Sequence, residues 1–426
     1  MIGAHEIAHG DVLAVLRELP SDSFDALLCD PPYGYRFMGK RWDYDVPSVE
    51  VWREALRVLK PGAPLLSFGG ARTFHRIATA IEDAGFELRD VLMWLYGKGF
   101  PKSYDIGKAL DGKDGRLGWT SPNAGKYGGA GGGVYARSDG VCTAPGKKIE
   151  VALESDLARQ WDGYGTALKP AYEPVILARK PLSGTMVSNV LAHGVGGLAI
   201  DACRIGADGG GTHCANRDES GRCLGHKNGG RSTSGETFHG PDTDGGRWPA
   251  NLMLDEVAAA ALDEHAGERP SVPYRANKAT GAVLPMKERA AGGYMETGGP
   301  SRFFYCAKVS TKERELGCEE LPMISAGEMT DREDGQAGLD NPRAGAGRTG
   351  GARNHHPTLK PIALTKWLAT LIKPPTAGAM LLVPYSGAGS EIIGALQAGW
   401  PAVLGIEGSE EYIAIAHARI AAWSRK

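Results

Sequence analysis

No run of about 18 apolar residues occurs in this 426-residue chain, and no basic segment with an apolar h-region follows Met1. A membrane-spanning helix and a secretory leader are therefore not expected. Paired cysteines are wanting too. The seven present (Cys29, Cys142, Cys203, Cys214, Cys223, Cys306 and Cys318) are scattered and odd in number, so no disulfide framework emerges. A chain of this length can bury a core that needs no such staple. Together these absences set the expectation of a reducing, cytoplasmic compartment. Charge of one sign is also missing: 48 Lys and Arg stand against 50 Asp and Glu, for a net charge of -2. A polyanionic partner would have to be held by local basic patches. No internal repeat is present.

Glycine is what the chain has in excess: 61 residues, well above the roughly 7% of average usage, which predicts many loops. Residues 1–100 read as ordinary α/β chain. Ala26 to Cys29 is a short apolar run stopped by two prolines, as a buried parallel strand would be. Val49 to Leu59 has helical spacing and stops at Lys60-Pro61-Gly62. Pro64 to Phe68 is the next strand, Thr73 to Ala84 the next helix, and Val91 to Leu95 a further strand. Residues 101–160 form a basic, glycine-rich insertion without lasting periodicity. Residues 161–204 return to the core through the strand pattern Tyr172 to Ala178. Residues 205–350 are irregular, with compact pieces at Trp248 to Leu254 and Arg302 to Cys306. Residues 351–426 are α/β again: a helix over Ile362 to Leu371, a strand Met380 to Val383, a glycine-rich turn, a helix near Glu391 to Ala398, a strand Ala402 to Ile406 and a last helix from Glu410. The expected class is α/β, a doubly wound, Rossmann-like sheet assembled from both chain ends around an inserted irregular region.

The strongest chemical signal is Asp30-Pro31-Pro32-Tyr33-Gly34, directly after a strand. An aromatic amine is a poor nucleophile because its lone pair is delocalised into the ring. The Asp30 carboxylate and the Pro31 carbonyl could accept its two hydrogens, bend the nitrogen toward tetrahedral and return the lone pair for in-line attack on a methyl group. Pro31 and Pro32 stiffen the turn, and Tyr33 offers a ring to stack on a base swung out of a duplex. A second signal is Pro384-Tyr385-Ser386-Gly387-Ala388-Gly389-Ser390, between a strand and a helix. Glycines there admit a nucleoside close to the backbone, and the helix N-terminus can hold a carboxylate. Glu407 closes the next strand, where a carboxylate can bind both ribose hydroxyls.

With these motifs in this order, the chain resembles the permuted, β-type group of bacterial and phage site-specific DNA amino methyltransferases, in which the catalytic motif precedes the cofactor loop. Two further matches fit. Gly10-Asp11 resembles the family's short acidic motif, which implies that Asp11 contacts the cofactor adenine. His356-Pro357-Thr358-Leu359-Lys360-Pro361 resembles its HPTxKP motif, which implies that His356, Thr358 and Lys360 lie near the methionine end. Lys169 to Pro174 also matches the family. The resemblance implies S-adenosylmethionine as methyl donor, held by Asp11, Asp30, His356, Thr358, Lys360, Tyr385, Ser386, Gly387, Gly389 and Glu407. It implies catalysis by Asp30, Pro31, Pro32 and Tyr33, and double-stranded DNA as the partner, methylated at adenine N6 by base flipping. It implies a restriction-modification setting, with residues 205–350 as the target-recognition region, and a homodimer as the assembly to look for.

Alternatives stand beside this reading. Cytosine N4 presents two hydrogens to the same acceptors. A transferase acting on RNA or protein glutamine would carry Asn-Pro-Pro-Tyr and the unpermuted order. A DNA-binding protein with impaired catalysis is suggested by Val383 alone, which stands where the family loop has Asp; cofactor binding would then lean on Glu391, and Ser390-Glu391 in place of the family's Thr-Thr bears only on the cofactor contacts. His213, Cys214, Cys223 and His226 fit no regular finger, so no metal is expected. Lys98, Lys102, Lys108, Lys113, Arg116 and Lys126 form one candidate phosphate-binding flank, and Arg302, Lys308, Lys312 and Arg314 another.

Overall fold

The computed structural model describes residues 4–35, 41–97, 99, 103–112, 153–206, 246–270, 297–307, 313–325 and 352–424. The principal elements are β1 (Ala4–His9), α1 (Val12–Glu18), β2 (Ala26–Cys29), α2 (Val49–Val58), β3 (Pro64–Phe68), α3 (Phe74–Asp83), β4 (Glu87–Leu95), β5 (Tyr172–Arg179), α4 (Met186–His193), β6 (Leu252–Asp255), α5 (Glu256–Ala266), β7 (Tyr305–Ala307), α6 (Ile362–Leu371), β8 (Met380–Pro384), α7 (Ser390–Gln397), β9 (Ala402–Glu407) and α8 (Glu410–Trp423).

Nine strands form one mixed sheet in the order β1-β9-β8-β2-β3-β5-β4-β6-β7. All neighbours run parallel except β5, which is antiparallel to both β3 and β4. Two strands, β6 and β7, come from the segment 205–350. The central strands β2, β3 and β8 are buried along almost their whole length and carry mostly apolar residues because both faces are covered. Alternate residues enter different cores. Leu27, Leu65, Ile176, Leu382 and Ile406 pack with Leu16, Trp52 and Ile81 of α1, α2 and α3. Ala26, Leu28, Leu66, Leu177, Leu381, Val383 and Val403 pack with Leu368, Ile392 and Ile420 of α6, α7 and α8.

At the middle of the sheet the chain leaves neighbouring strands in opposite directions. From β2 it passes through α2 to β3, whereas from β8 it passes through α7 to β9 on the other side. That divergence is the switch point of a doubly wound sheet, where the strand ends open a crevice. The turn after β2 is Asp30 to Gly34, and the turn after β8 is Tyr385 to Gly389. Adjacency of β2 and β8 thus brings two motifs from opposite ends of the chain to one place.

Candidate active site

A cavity of about 1,100 Å³ opens at this switch point. Asp11, Asp30, Pro31, Pro32, Tyr33, His356, Thr358, Lys360, Tyr385, Ser386, Gly387 and Glu407 all line it. Gly389 is not among the lining residues. It starts α7 at φ +78°, and a Cβ there would stand 3.1 Å from that of Ala416 on α8. Its role in this structure is therefore close packing of two helices.

The turn from Asp30 to Gly34 is held from several sides. Asp43, 3% exposed, accepts the backbone N–H groups of Tyr33 at 2.8 Å and Gly34 at 2.9 Å. Thr73 donates its hydroxyl to the Tyr33 carbonyl at 2.7 Å. The Tyr33 hydroxyl donates to Asp30 Oδ1 at 2.7 Å and lies 3.3 Å from Glu173 Oε2. Lys360 Nζ stands 2.7 Å from Asp30 Oδ2 and 3.2 Å from Glu173 Oε2. The two carboxylates hold the buried ammonium firmly charged against the burial that opposes its charge. The motif around His356 and Lys360 therefore reaches the Asp30-to-Gly34 turn itself.

The glycine-rich turn after β8 is sharply bent. Tyr385 adopts φ +59°, a left-handed conformation that costs a non-glycine residue about 1–3 kcal/mol and marks functional turns. Gly387 has φ +49°, and a Cβ on it would lie 2.6 Å from His356 Nε2. Only glycine admits so close an approach in that conformation. Glu407 braces the turn, accepting the N–H of Gly387 at 2.8 Å and of Ser409 at 2.9 Å. The His356 ring donates from Nδ1 to the Thr358 carbonyl at 2.6 Å, and burial lowers its pKa to about 4. The neutral ring therefore leaves Nε2 as an acceptor facing Gly387. Asp11 caps α1 by accepting the Ala14 N–H at 3.0 Å.

Val383 is fully buried within the core on the α6–α8 side, while Glu391, 4% exposed in the first turn of α7, lines the cavity. Burial, and then the neighbouring Asp30, pushes the Glu391 carboxyl up to about 7. Asp43 and Glu173 carry no role in the sequence reading; Glu173 was noted there only within a family match.

Two cations of the candidate basic flanks are placed differently from expectation. Lys108 is buried and paired with Asp105 at 3.3 Å. Arg302 is buried and donates to the carbonyls of Gly298, Gly299 and Arg269, tying together the short antiparallel pair Arg269–Pro270 and Thr297–Gly298. Burying an arginine requires such partners, so both residues serve structure. Arg314 lines the cavity and donates to the His356 carbonyl at 2.7 Å. Lys98, Lys102, Lys113, Arg116, Lys126, Lys308, Lys312 and the residues considered for zinc lie outside the described residues. Among the described residues no cluster of His, Cys, Asp or Glu could hold a metal ion, and no helix is long and apolar enough to cross a membrane.

Comparison with known proteins follows the same line. The type II methyltransferase M.HindIII of Haemophilus influenzae is 25% identical over 152 residues, which are 35% of this chain and 37% of that protein. The DNA adenine methyltransferase YhdJ of Escherichia coli is 42% identical over 53 residues, 12% of this chain and 16% of that one. The chain is similar to DNA methyltransferases. It spans well under half the length of these curated relatives, and no protein-family model matches it. Among solved structures, M1.HpyAVI aligns over 98% of both chains at 11% identity with a TM-score of 0.36. The cytosine-N4-specific PvuII DNA methyltransferase aligns over 98% of this chain and 87% of that one, at 10% identity and a TM-score of 0.38.

Proposed function

We propose that this protein is a DNA methyltransferase that moves a methyl group from S-adenosylmethionine to adenine N6, with the base swung out of the duplex. The observation that carries the reading is the meeting, in one switch-point cavity, of the Asp30-Pro31-Pro32-Tyr33 turn and the Tyr385-to-Gly389 turn. The order of these motifs along the chain, Asp30-Pro31-Pro32-Tyr33 first and Tyr385 to Gly389 near the other end, supports the β-type reading.

The residues present fit the cofactor. Ser386 Oγ is buried without a hydrogen-bond partner in the bent turn, and a ligand or water is the expected partner for such an atom. Glu407 keeps lone pairs beyond the two N–H groups it accepts, enough for ribose hydroxyls. Asp11 stands at the cavity wall for the adenine amine, and the His356-to-Lys360 segment forms the wall near the methionine end. When bound, S-adenosylmethionine supplies an electrophilic methyl group on a sulfonium.

Asp30 and the Pro31 carbonyl do the work on the acceptor. Each carboxylate oxygen can take two hydrogen bonds, so Asp30 can accept an amine hydrogen while it holds Tyr33 and Lys360. The stiff turn, braced by Asp43, keeps both acceptors aimed and releases the nitrogen lone pair toward the methyl group. The Tyr33 ring supplies a stacking face. Adenine is preferred because Asp begins the motif; the name of the Escherichia coli relative agrees.

The test is methyl transfer from labelled S-adenosylmethionine to mixed genomic DNA, followed by nucleoside analysis. N6-methyladenine is the expected product. N4-methylcytosine would overturn the base assignment, and absence of transfer by the folded protein would overturn the reaction. Asp30→Ala should slow transfer by about 100-fold or more.

A further inference from the structure

Asp30 and Glu173 both face one buried ammonium. Glu173 arrives on β5, the antiparallel strand between β3 and β4, 140 residues from Tyr33. Its Oε2 lies within reach of both donors that engage Asp30: 3.3 Å from the Tyr33 hydroxyl and 3.2 Å from Lys360 Nζ. The same donors stand 2.7 Å from Asp30 Oδ1 and 2.7 Å from Asp30 Oδ2. Nothing in the chemistry of amine methylation calls for this second carboxylate. The arrangement of donors does.

Resting on the methyltransferase reading, we propose that Glu173 is a positioning residue that lets Asp30 act as the base. Glu173 is the alternative acceptor for Tyr33 and the lasting counter-charge of Lys360 while Asp30 engages the substrate amine and then takes its proton.

Two demands on Asp30 conflict without it. The first is geometric: each Asp30 oxygen already holds one donor, and an oxygen that goes on to take the proton can no longer serve Tyr33 well as an acceptor. A small rotation of the Tyr33 hydroxyl hands its hydrogen to Glu173 and clears Oδ1. The second is electrostatic. As the nitrogen–carbon bond forms and the sulfur–methyl bond breaks, the positive charge moves from sulfur to nitrogen. An N–H bond of that nitrogen then breaks, its electron pair returns to nitrogen, and the proton forms an O–H bond on Asp30. Lys360 would at that moment face a neutral acid, and a buried ammonium without a counter-charge is strongly disfavoured. Glu173 keeps the ammonium paired through the step, so the proton can go to Asp30. The proton then leaves to water once the methylated base departs.

The titratable groups facing Asp30 are Lys360, Tyr33, Glu173, Glu391 and His356, with the buried Cys29 thiol next to it in the chain. Glu173→Gln removes one anion from this set and keeps the size and an acceptor oxygen. One fewer negative charge in this set weakens the pull of the cluster on a proton.

The experiment is single-turnover methyl transfer to DNA across pH, with calorimetric titration of S-adenosylmethionine into the same proteins. Glu173→Gln should slow the chemical step about 10- to 100-fold with cofactor affinity and DNA affinity unchanged. It should also move the acid limb of the rate profile to lower pH. Glu173→Asp, which restores the charge, should bring the limb back. Wild-type rate and an unmoved limb in Glu173→Gln overturn the inference. So does joint loss of rate and cofactor binding in both variants, which would mark a structural role. Failure of the methyltransferase reading looks different: the wild-type protein itself then transfers no methyl group to DNA.

Discussion

Glu391 shows at the scale of one residue how a departure from a motif acquires a physical consequence. It is buried and lines the cavity, and its carboxyl is raised from about 4.5 to about 7 by burial and by Asp30. Between those values the folded protein holds a proton that the unfolded chain has lost. Stability from this group is therefore complete below the lower value and is lost as pH rises through the upper one. Glu391→Gln cannot suffer that loss. The variant should match wild type near pH 4 and exceed it at pH 8 by up to about 3 kcal/mol. Chemical denaturation at the two pH values checks this, and a difference independent of pH would sink it. Legibility at this scale was uneven. Asp30 and Tyr33 could be read because the chemistry sits within one tetrapeptide. Asp43 and Glu173 could not, because they reach the same turn through the fold, one from a following loop and the other from β5. Lys108 was misread for a similar reason: its burial beside Asp105 depends on packing that charge counting cannot see.

Among the elements, strands buried on both faces were the legible ones. Pro64–Phe68 and Ala26–Cys29 carry apolar or small residues throughout, and the structure places strands at those positions. β4 begins at Glu87, four residues before the apolar pattern, because its first half is partly exposed and keeps polar side chains. β1 is an edge strand of sequence AHEIAH and leaves no apolar run to find. The reversed direction of β5 is a property of pairing, which composition does not encode. Pairing of helices was equally hidden, and Gly394 in α7 is a case in point. A Cβ on it would lie 2.3 Å from Thr365 Oγ1 and 2.6 Å from the Lys366 backbone nitrogen of α6. The second contact is to backbone and cannot simply rotate away. Gly394→Ala should therefore cost about 1–3 kcal/mol through overpacking, despite the better helix propensity of alanine. Because α7 carries the Tyr385-to-Gly389 turn at its start, cofactor affinity should weaken as well. Urea denaturation alongside calorimetric titration decides the matter; unchanged stability would mean the two helices can separate freely.

For the whole molecule, the central question is why the two chain ends need each other. β1 pairs with β9 along its full length, from Ala4 opposite Ala402 to His9 opposite Glu407. β2 pairs with β8, and Asp25 fastens that junction. Its backbone N–H donates to the Met380 carbonyl at 2.9 Å, and its carboxylate accepts the Met380 N–H at 2.8 Å and the Lys60 ammonium at 2.6 Å. Without the N-terminal half, Leu382 and Ile406 would lose the layer formed by α1, α2 and α3. A C-terminal piece would also be near the size at which a single core becomes marginal. Residues 352–426 produced alone should consequently show no cooperative thermal transition and no binding of S-adenosylmethionine. Mixing them with residues 1–351 should restore both, because the missing sheet neighbours and half of the cavity wall return together. A cooperative melt from the C-terminal piece by itself would show that the cofactor half is an independent domain. The cavity would then form by docking of two finished units, and the continuous sheet would be a consequence of that docking.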